Sequence, residues 1–169
     1  RELFPAEEDN EFDAGSTITD FTPDQQQINN LATLGRIWGF LKYYHPAVAT
    51  GEYNWDYELF RILPDIIDAK TQNERDDILV TWIDSYGELP KEKKPKFKAS
   101  VVKMAADLDW IEHSGFSEDL VEKLVAVRNA KRSDEHFYIG LNQYVGSPEF
   151  TNERSYASMN YPDAGFRLL

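Results

Sequence analysis

The sequence predicts a mainly α-helical protein, an irregular bundle of about five helices with extended N-terminal and C-terminal segments and room for a short hairpin. Apolar residues recur at three- and four-residue spacing in several stretches. Residues that cap helices precede these stretches, and proline or glycine follows them. A chain of 169 residues, 41% of them apolar, is about one domain long and can bury its own core.

The longest predicted helix begins at Thr22, with Pro23 at the first helical position and Gln25 in the capping-box position. Apolar residues cover more than half of the helix circumference, so we expect this helix at the centre of the bundle. Pro46 ends this helix, because the residue before a proline is pushed out of the helical region. The inward residues are expected to be Ile28, Leu31, Leu34, Trp38, Leu41 and His45, beside a second row of Ile37, Phe40 and Tyr44.

Two further helices follow in the middle of the chain. Asn54 is a suitable N-cap for the first of them, and Pro64 inside its pattern is expected to kink it. Thr71 and Glu74 form a capping box for the second, which Gly87 closes. The inward residues are expected to be Trp55, Leu59, Ile62, Leu63, Ile66 and Ile67 in the first, and Ile78, Leu79, Trp82 and Ile83 in the second.

The C-terminal half is less regular. Residues 88–98 are rich in lysine and proline, which favours a solvated loop over a basic patch for an acidic partner. Residues 100–112 have the spacing of a short helix, and Ser117 caps a clear one. Residues 136–145 are rich in aromatic and β-branched side chains and are expected to be extended.

The two ends of the chain differ in character. Residues 1–21 are acidic and have no helical period, so we expect an extended, solvated lead-in. Its acids lack the ligand order of a calcium-binding loop. The chain begins at Arg1 and stops at Leu169 in an apolar stretch, so it is expected to be part of a longer protein.

Charge and composition narrow the possible partners. The net charge is −12, from 18 Lys and Arg against 30 Asp and Glu, which disfavours nucleic-acid phosphates and anionic lipid surfaces. The absence of cysteine excludes disulfides, thiolate metal sites and cysteine nucleophiles. No apolar run approaches the roughly 18 residues of a membrane span, so no membrane contact is predicted.

The sequence contains none of the common catalytic motifs. The nucleophile elbow of serine hydrolases, the zinc-binding His-Glu-x-x-His, the Walker loop and the dinucleotide-binding glycine pattern are all absent. No catalytic residue, metal site or cofactor is therefore predicted. His45 is interpreted as a structural residue, a protonated imidazole that gains about 0.3 to 1 kcal/mol from the dipole at a helix C-terminus.

A dense aromatic run is the strongest lead in the chain. Eight aromatic residues lie between Trp38 and Phe60. Such a run indicates either the packed ends of two helices or a surface on which a ligand stacks, and helical spacing favours the core. If it is a binding surface, the candidate residues are Trp38, Lys42, Tyr43, Tyr44 and His45.

The residues of this run also carry a family resemblance. Residues 34–64, LGRIWGFLKYYHPAVATGEYNWDYELFRILP, resemble the N-terminal region of secreted bacterial carboxy-terminal processing (tail-specific, tricorn-like) serine peptidases. Three later pieces are similar to the same proteins, namely ADLDWI at 106–111, FTNERSY at 150–156 and NYPDAGFRLL at 160–169. The resemblance therefore runs from about residue 20 to the end of the chain.

The resemblance implies a cell-envelope protein, periplasmic or anchored in the outer membrane and often a lipoprotein. In this family a helical region precedes a PDZ-like module and a protease domain, which carries the nucleophilic serine and the lysine base. No position here matches that catalytic motif. The implied division is the tail of a β-rich domain at 1–21, a helical domain at 22–160 and the start of a following helix at 161–169.

Two functions are compatible with these observations. The first is a non-catalytic domain that packs against the downstream PDZ-like and protease domains of its own chain or restricts access to them. The second is a module that binds a peptide or glycan through the aromatic helix end at Trp38 to His45. An independent enzyme built from scattered acids is disfavoured, because so acidic a chain produces close carboxylate spacings by chance.

Overall fold

The protein is mainly helical, as the sequence predicts. The computed structural model describes residues 3–16, 18–91, 106–131 and 137–138. In these ranges there is no strand, and an isolated antiparallel bridge joins Lys91 to Ala130. The extended segment expected at 136–145 and the helix start expected at 161–169 lie almost wholly or wholly outside the described residues. The described helices are α1 (Pro5–Glu8), α2 (Gln25–Tyr44), α3 (Pro46–Ala49), α4 (Trp55–Asp68), α5 (Gln72–Asp84), α6 (Trp110–His113) and α7 (Glu118–Asn129).

The central helix is α2, which contacts α3, α4, α5 and α7. It begins two residues later than predicted, because Asp24 and Gln27 form the capping box in place of Thr22 and Gln25. The Asp24 carboxylate accepts from the Gln27 N–H at 2.8 Å, and the Gln27 side chain accepts from the Asp24 N–H at 2.9 Å. Pro46 follows the end of α2, as predicted.

The buried row of α2 is shifted from the predicted one in the first turns. Ile28 was expected inward but is 46% exposed, whereas Asn30 is fully buried. The Asn30 amide donates to the carbonyls of Ile66 at 3.3 Å and Ala69 at 3.0 Å, at the end of α4. A polar residue therefore takes the inward position here, because the last carbonyls of α4 need donors. Further along, Leu34 and Leu41 are buried as expected.

Helices α4, α5 and α7 begin at the caps that the sequence predicts. The Asn54 side chain accepts from Tyr57 N–H at 3.2 Å, Thr71 from Glu74 N–H at 3.1 Å and Ser117 from Leu120 N–H at 3.3 Å. Pro64 lies inside α4, as predicted, and the helix continues to Asp68 with the proline on its exposed side. After α5, Gly87 has a φ of +87°, a conformation that favours glycine at a helix end.

The helix predicted over 100–112 is shorter than expected in the part that the structure describes. Residues 106–109 are not helical, and α6 spans one turn. The Asp107 carboxylate accepts from the Asp109 N–H at 3.0 Å, a local turn that competes with helix formation. Ile111 of α6 is nevertheless fully buried in the core, as the pattern predicted.

A buried ion pair joins α5 to the start of α7. Arg75 and Asp76 are 5% and 0% exposed, and Arg75 Nη2 lies 2.6 Å from Asp76 Oδ1. The second carboxylate oxygen of Asp76 accepts from the Ser117 N–H at 2.8 Å. Adjacent acidic and basic residues on a helix look exposed in the sequence, but here the start of α7 covers them both.

The acidic N-terminal segment is largely exposed, as the sequence predicted, but it is not extended throughout. It contains α1, and a turn follows it. Ala6 is buried, and its N–H donates to the Gly51 carbonyl at 3.0 Å. Gly51 has a φ of +78°, and a Cβ there would lie 3.1 Å from the ring of Phe4. The segment therefore packs closely against the loop between α3 and α4.

Candidate functional site

Two tryptophans of the aromatic run join the end of α2 to the start of α4. Trp38 Nε1 donates to the Trp55 carbonyl at 2.9 Å, and Trp55 Nε1 donates to the Trp38 carbonyl at 3.1 Å. Trp55 is fully buried. The two indoles thus tie the helices together through reciprocal hydrogen bonds, which satisfy their polar atoms inside the fold.

Two aromatic rings, from α5 and the turn after it, pack against Trp55. Trp82 of α5 stacks on it with centroids 5.2 Å apart, and Tyr86 meets its edge at 5.4 Å. Tyr86 also contacts Tyr53 at 4.8 Å and His45 at 5.6 Å. These rings interlock rather than line an open surface. We call this cluster the aromatic junction: Trp38, His45, Tyr53, Trp55, Trp82 and Tyr86.

His45 is a neutral core residue, so its predicted role as a protonated helix cap is wrong. The side chain is 2% exposed, and neither ring nitrogen has a hydrogen-bond partner among the described residues. Burial lowers the pKa of His45 from 6.5 to about 4. The desolvation cost of a charged ring here exceeds the modest gain from the helix dipole. The backbone N–H of His45 still caps α2, donating to the Leu41 carbonyl at 2.9 Å.

The candidate binding residues do not share one exposed surface. Tyr44 is 6% exposed and stacks on Phe40 at 4.7 Å, and His45 is buried beside it. Trp38, Lys42 and Tyr43 are each half-buried. Lys42 Nζ lies 4.8 Å from the centroid of the Trp38 ring, 5.1 Å from that of Tyr138 and 3.5 Å from the carboxylate of Asp56. The structure therefore places Tyr44 and His45 in the core and engages Lys42 within the chain.

A short hydrogen-bond chain runs from the aromatic junction to the surface of α4. The Tyr86 hydroxyl donates to Glu58 Oε2 at 2.6 Å, and the other oxygen of Glu58 accepts from Arg61 Nη1 at 2.5 Å. Burial and the Glu58 carboxylate raise the pKa of Tyr86 well above its usual value. The Tyr86 phenol therefore stays protonated and donates its hydrogen bond. Glu58, which accepts from both Tyr86 and Arg61, connects the core to Arg61.

The outer side of α4 holds the N-terminal acids. Arg61 Nη2 lies 2.7 Å from Asp9 Oδ2, and Arg61 Nε donates to Glu11 Oε2 at 2.8 Å. Phe12 meets the edges of Tyr57 at 5.4 Å and Phe60 at 5.5 Å. We call Tyr57, Phe60 and Arg61 the α4 face, and residues 9–13 the strap.

The strap is also held at its last residue. The Tyr57 hydroxyl donates to the Asp13 carboxylate, and this bond raises the pKa of Tyr57. Sequence reasoning missed the whole contact, because an acidic run without periodicity is typical of a solvated segment. The signal available was Arg61, the only basic residue in the sequence of α4.

Among the described residues, no group of three acidic or histidine side chains is placed to hold a metal ion. No described helix has the length and apolar character needed to cross a membrane. The phenols of Tyr57, Tyr86 and Tyr138 all donate within the chain, to Asp13, Glu58 and the Tyr53 carbonyl respectively.

Comparisons with known proteins add no relative. No family model, curated protein or solved structure matches this chain. The peptidase resemblance of residues 34–64 therefore stays a prediction from the residues themselves.

Proposed function

We propose that this chain is the non-catalytic helical domain of a cell-envelope serine peptidase, and that it packs against or restricts access to a downstream protease domain. One observation carries the proposal. Three residues of the segment that resembles that family, Trp38, Trp55 and Arg61, have their polar groups bonded within this chain. Hydrogen bonds within the chain stabilise the fold of the domain, which supports a structural role for these residues.

The candidate site supports a packing role over a catalytic one. The aromatic junction is interlocked, and the Tyr86 phenol within it is engaged as a donor. A neutral, buried His45 has no route to an exposed substrate in this conformation. The proposed partners are the PDZ-like and protease domains of the parent chain, with the cell envelope as the location.

The proposal is tested by assaying the parent protein beside the isolated domain. We expect the parent to hydrolyse an unstructured, fluorescently labelled casein, and a parent with its downstream nucleophilic serine changed to alanine to be inactive. The isolated 169-residue domain should show no hydrolysis above buffer. Peptidase activity that follows the isolated domain through successive purification steps would exclude a non-catalytic role.

A second experiment separates packing from restriction of access. A parent that lacks this domain should hydrolyse a folded substrate faster if the domain restricts access. If the domain only packs, the protease domain should lose thermal stability without a change in substrate preference. A parent sequence without a downstream serine and lysine in the expected context would remove the basis of the proposal.

The second candidate function, peptide or glycan binding at Trp38 to His45, is supported only by the half-buried Trp38, Lys42 and Tyr43. Carbohydrate and peptide platforms need several rings exposed on one side. Tyr44 and His45 point into the core instead. This function is therefore the weaker of the two.

A further inference from the structure

The contact between the strap and the α4 face has the features of a bound peptide. The strap is five residues long, Asp-Asn-Glu-Phe-Asp, and an aromatic anchor lies between acids. The anchor Phe12 meets two rings, while acids on both sides of it meet Arg61 and a phenol. Separate side chains thus engage a charged group and an apolar one, as in recognition of a short linear motif.

The charges of the two sides are complementary at short range. The Arg61 guanidinium offers its donors to Asp9 and Glu11, and its remaining edge is fixed by Glu58. A planar guanidinium held in this way has its donors oriented for carboxylates. The Arg61 group also lies 5.7 Å from the centroid of the Phe12 ring, which adds a cation–π contact.

The contacts that hold the strap are partly exposed. The Arg61–Glu11 pair, 31% and 57% exposed, contributes at most about 1 kcal/mol, and the Asp9 side chain that Arg61 also meets is 20% exposed. Phe12 is only half-buried. The strap is therefore bound because it is tethered nearby, at an effective concentration on the order of 1 mM.

We propose that the α4 face is a binding site for an acidic peptide with an aromatic anchor, and that the strap occupies this site in cis. The partner is a short, turn-forming segment of the form acid-x-acid-aromatic-acid, as the strap is. The net charge of −12 repels acidic peptides in general, so binding must come from these local contacts. The proposal does not depend on the peptidase assignment.

Competition by the strap sets the expected size of the effect. For a site with a Kd of about 0.1 mM, a tethered competitor at about 1 mM weakens the apparent affinity about tenfold. Weakening the strap by Glu11→Gln with Phe12→Ala should remove this competition. Both changes lie in the strap and leave Tyr57, Phe60 and Arg61 intact.

The test measures fluorescence anisotropy of a labelled peptide with the sequence of residues 5–15. We expect the strap-weakened chain to bind it about tenfold more tightly than wild type. Adding Arg61→Gln should reduce binding at least tenfold, whereas Lys123→Gln, which removes a basic charge paired with Asp84, should not. A peptide with alanine at the Phe12 position and amides for the acids should not bind.

Two results would overturn the proposal. One is equal affinity of the folded wild-type and strap-weakened chains for the labelled peptide. The other is binding that survives Arg61→Gln, which would place the peptide elsewhere.

If circular dichroism shows that the strap-weakened chain does not fold, the proposal is tested instead by displacing the strap from the wild-type chain. Phe12 is replaced by 4-fluorophenylalanine, and unlabelled peptide is added to several mM. Appearance of a second fluorine resonance, at the shift of an unpacked ring, shows displacement and supports the proposal. A single unchanged resonance shows that the strap is a fixed part of the fold.

Discussion

His45 shows how burial overrides the ordinary chemistry of a side chain. Its position at the end of α2 suggests a charged cap, but the ring lies among Tyr86 and other core aromatics. Both ring nitrogens are unpaired among the described residues, so protonation would place an uncompensated charge in the core. The consequence is a pH-dependent stability.

We predict that His45 makes the protein less stable in acid. Its pKa is 6.5 in the unfolded reference and about 4 in the folded state, so the unfolded state binds the proton first as pH falls. The loss of folding stability caused by His45 is absent above pH 6.5. It grows as pH falls towards 4 and then levels off at about 3 kcal/mol. Urea unfolding at pH 7, 5 and 4 measures it.

The matched variants are His45→Gln and His113→Gln. Carboxylates also make the free energy of unfolding depend on pH in wild type and in both variants. The comparison is therefore between the slopes of unfolding free energy against pH. His45→Gln should flatten the loss between pH 6.5 and 4, whereas His113→Gln, at an exposed position, should follow wild type. Parallel curves for wild type and His45→Gln would contradict the prediction.

The Arg75–Asp76 pair is a second residue-scale feature with a large expected effect. Asp76→Ala leaves the Arg75 guanidinium buried without its carboxylate and deprives the Ser117 N–H of its acceptor. We predict a loss of about 3 to 5 kcal/mol in the free energy of unfolding, measured by urea titration. The neighbouring exposed Asp77→Ala should change it by less than about 0.5 kcal/mol. Similar losses of stability in both variants would show that the burial of the Arg75–Asp76 pair does not account for the effect.

At the element scale, the contact between α2 and α4 depends on two indoles. Trp38→Phe keeps an aromatic ring but removes the N–H that donates to the buried Trp55 carbonyl. We predict a loss of about 1 to 3 kcal/mol in the free energy of unfolding, measured by urea titration. Trp110→Phe on α6, where the ring packs against Phe40 and Phe116, is the control for ring size. A larger effect at Trp110 than at Trp38 would argue against the reciprocal bonds.

The same contact predicts the outcome of a ligand titration. Trp38 Nε1 is bonded inside the fold and Tyr44 is buried, so the described residues form no stacking platform at this end of α2. We predict no saturable change in tryptophan fluorescence when oligosaccharides or peptides without acidic residues are added. A saturable change that Trp38→Phe abolishes would instead support peptide or glycan binding at Trp38 to His45.

The starts of α4, α5 and α7 were predictable because an N-cap is a local signal. Asn54, Thr71 and Ser117 each bond a backbone N–H within three residues. The start of α2 was misplaced because Asp24 competes with Thr22 for the same role, and an aspartate is at least as good a cap. The predicted helix over 100–112 was too long where the structure describes it, since side-chain turns such as that of Asp107 leave no trace in apolar spacing.

At the scale of the whole molecule, one chain of contacts joins the core to the N-terminal segment. Tyr86 bonds Glu58, Glu58 bonds Arg61, and Arg61 bonds the acids of the strap. The position of the strap is therefore coupled to the packing of α4 and α5. A peptide that displaces the strap would act on a residue already bonded to the core.

The sequence by itself determined the helical class, most of the caps and the aromatic run as the main packing feature. These follow from spacings of three and four residues, which adjacent turns of one helix impose. Only the tertiary structure decided that His45 is neutral and that the strap lies on Arg61. Those outcomes depend on residues far apart in the chain, as Asp9 and Arg61 are, and spacing within one helix carries no information about which distant groups exclude water from each other.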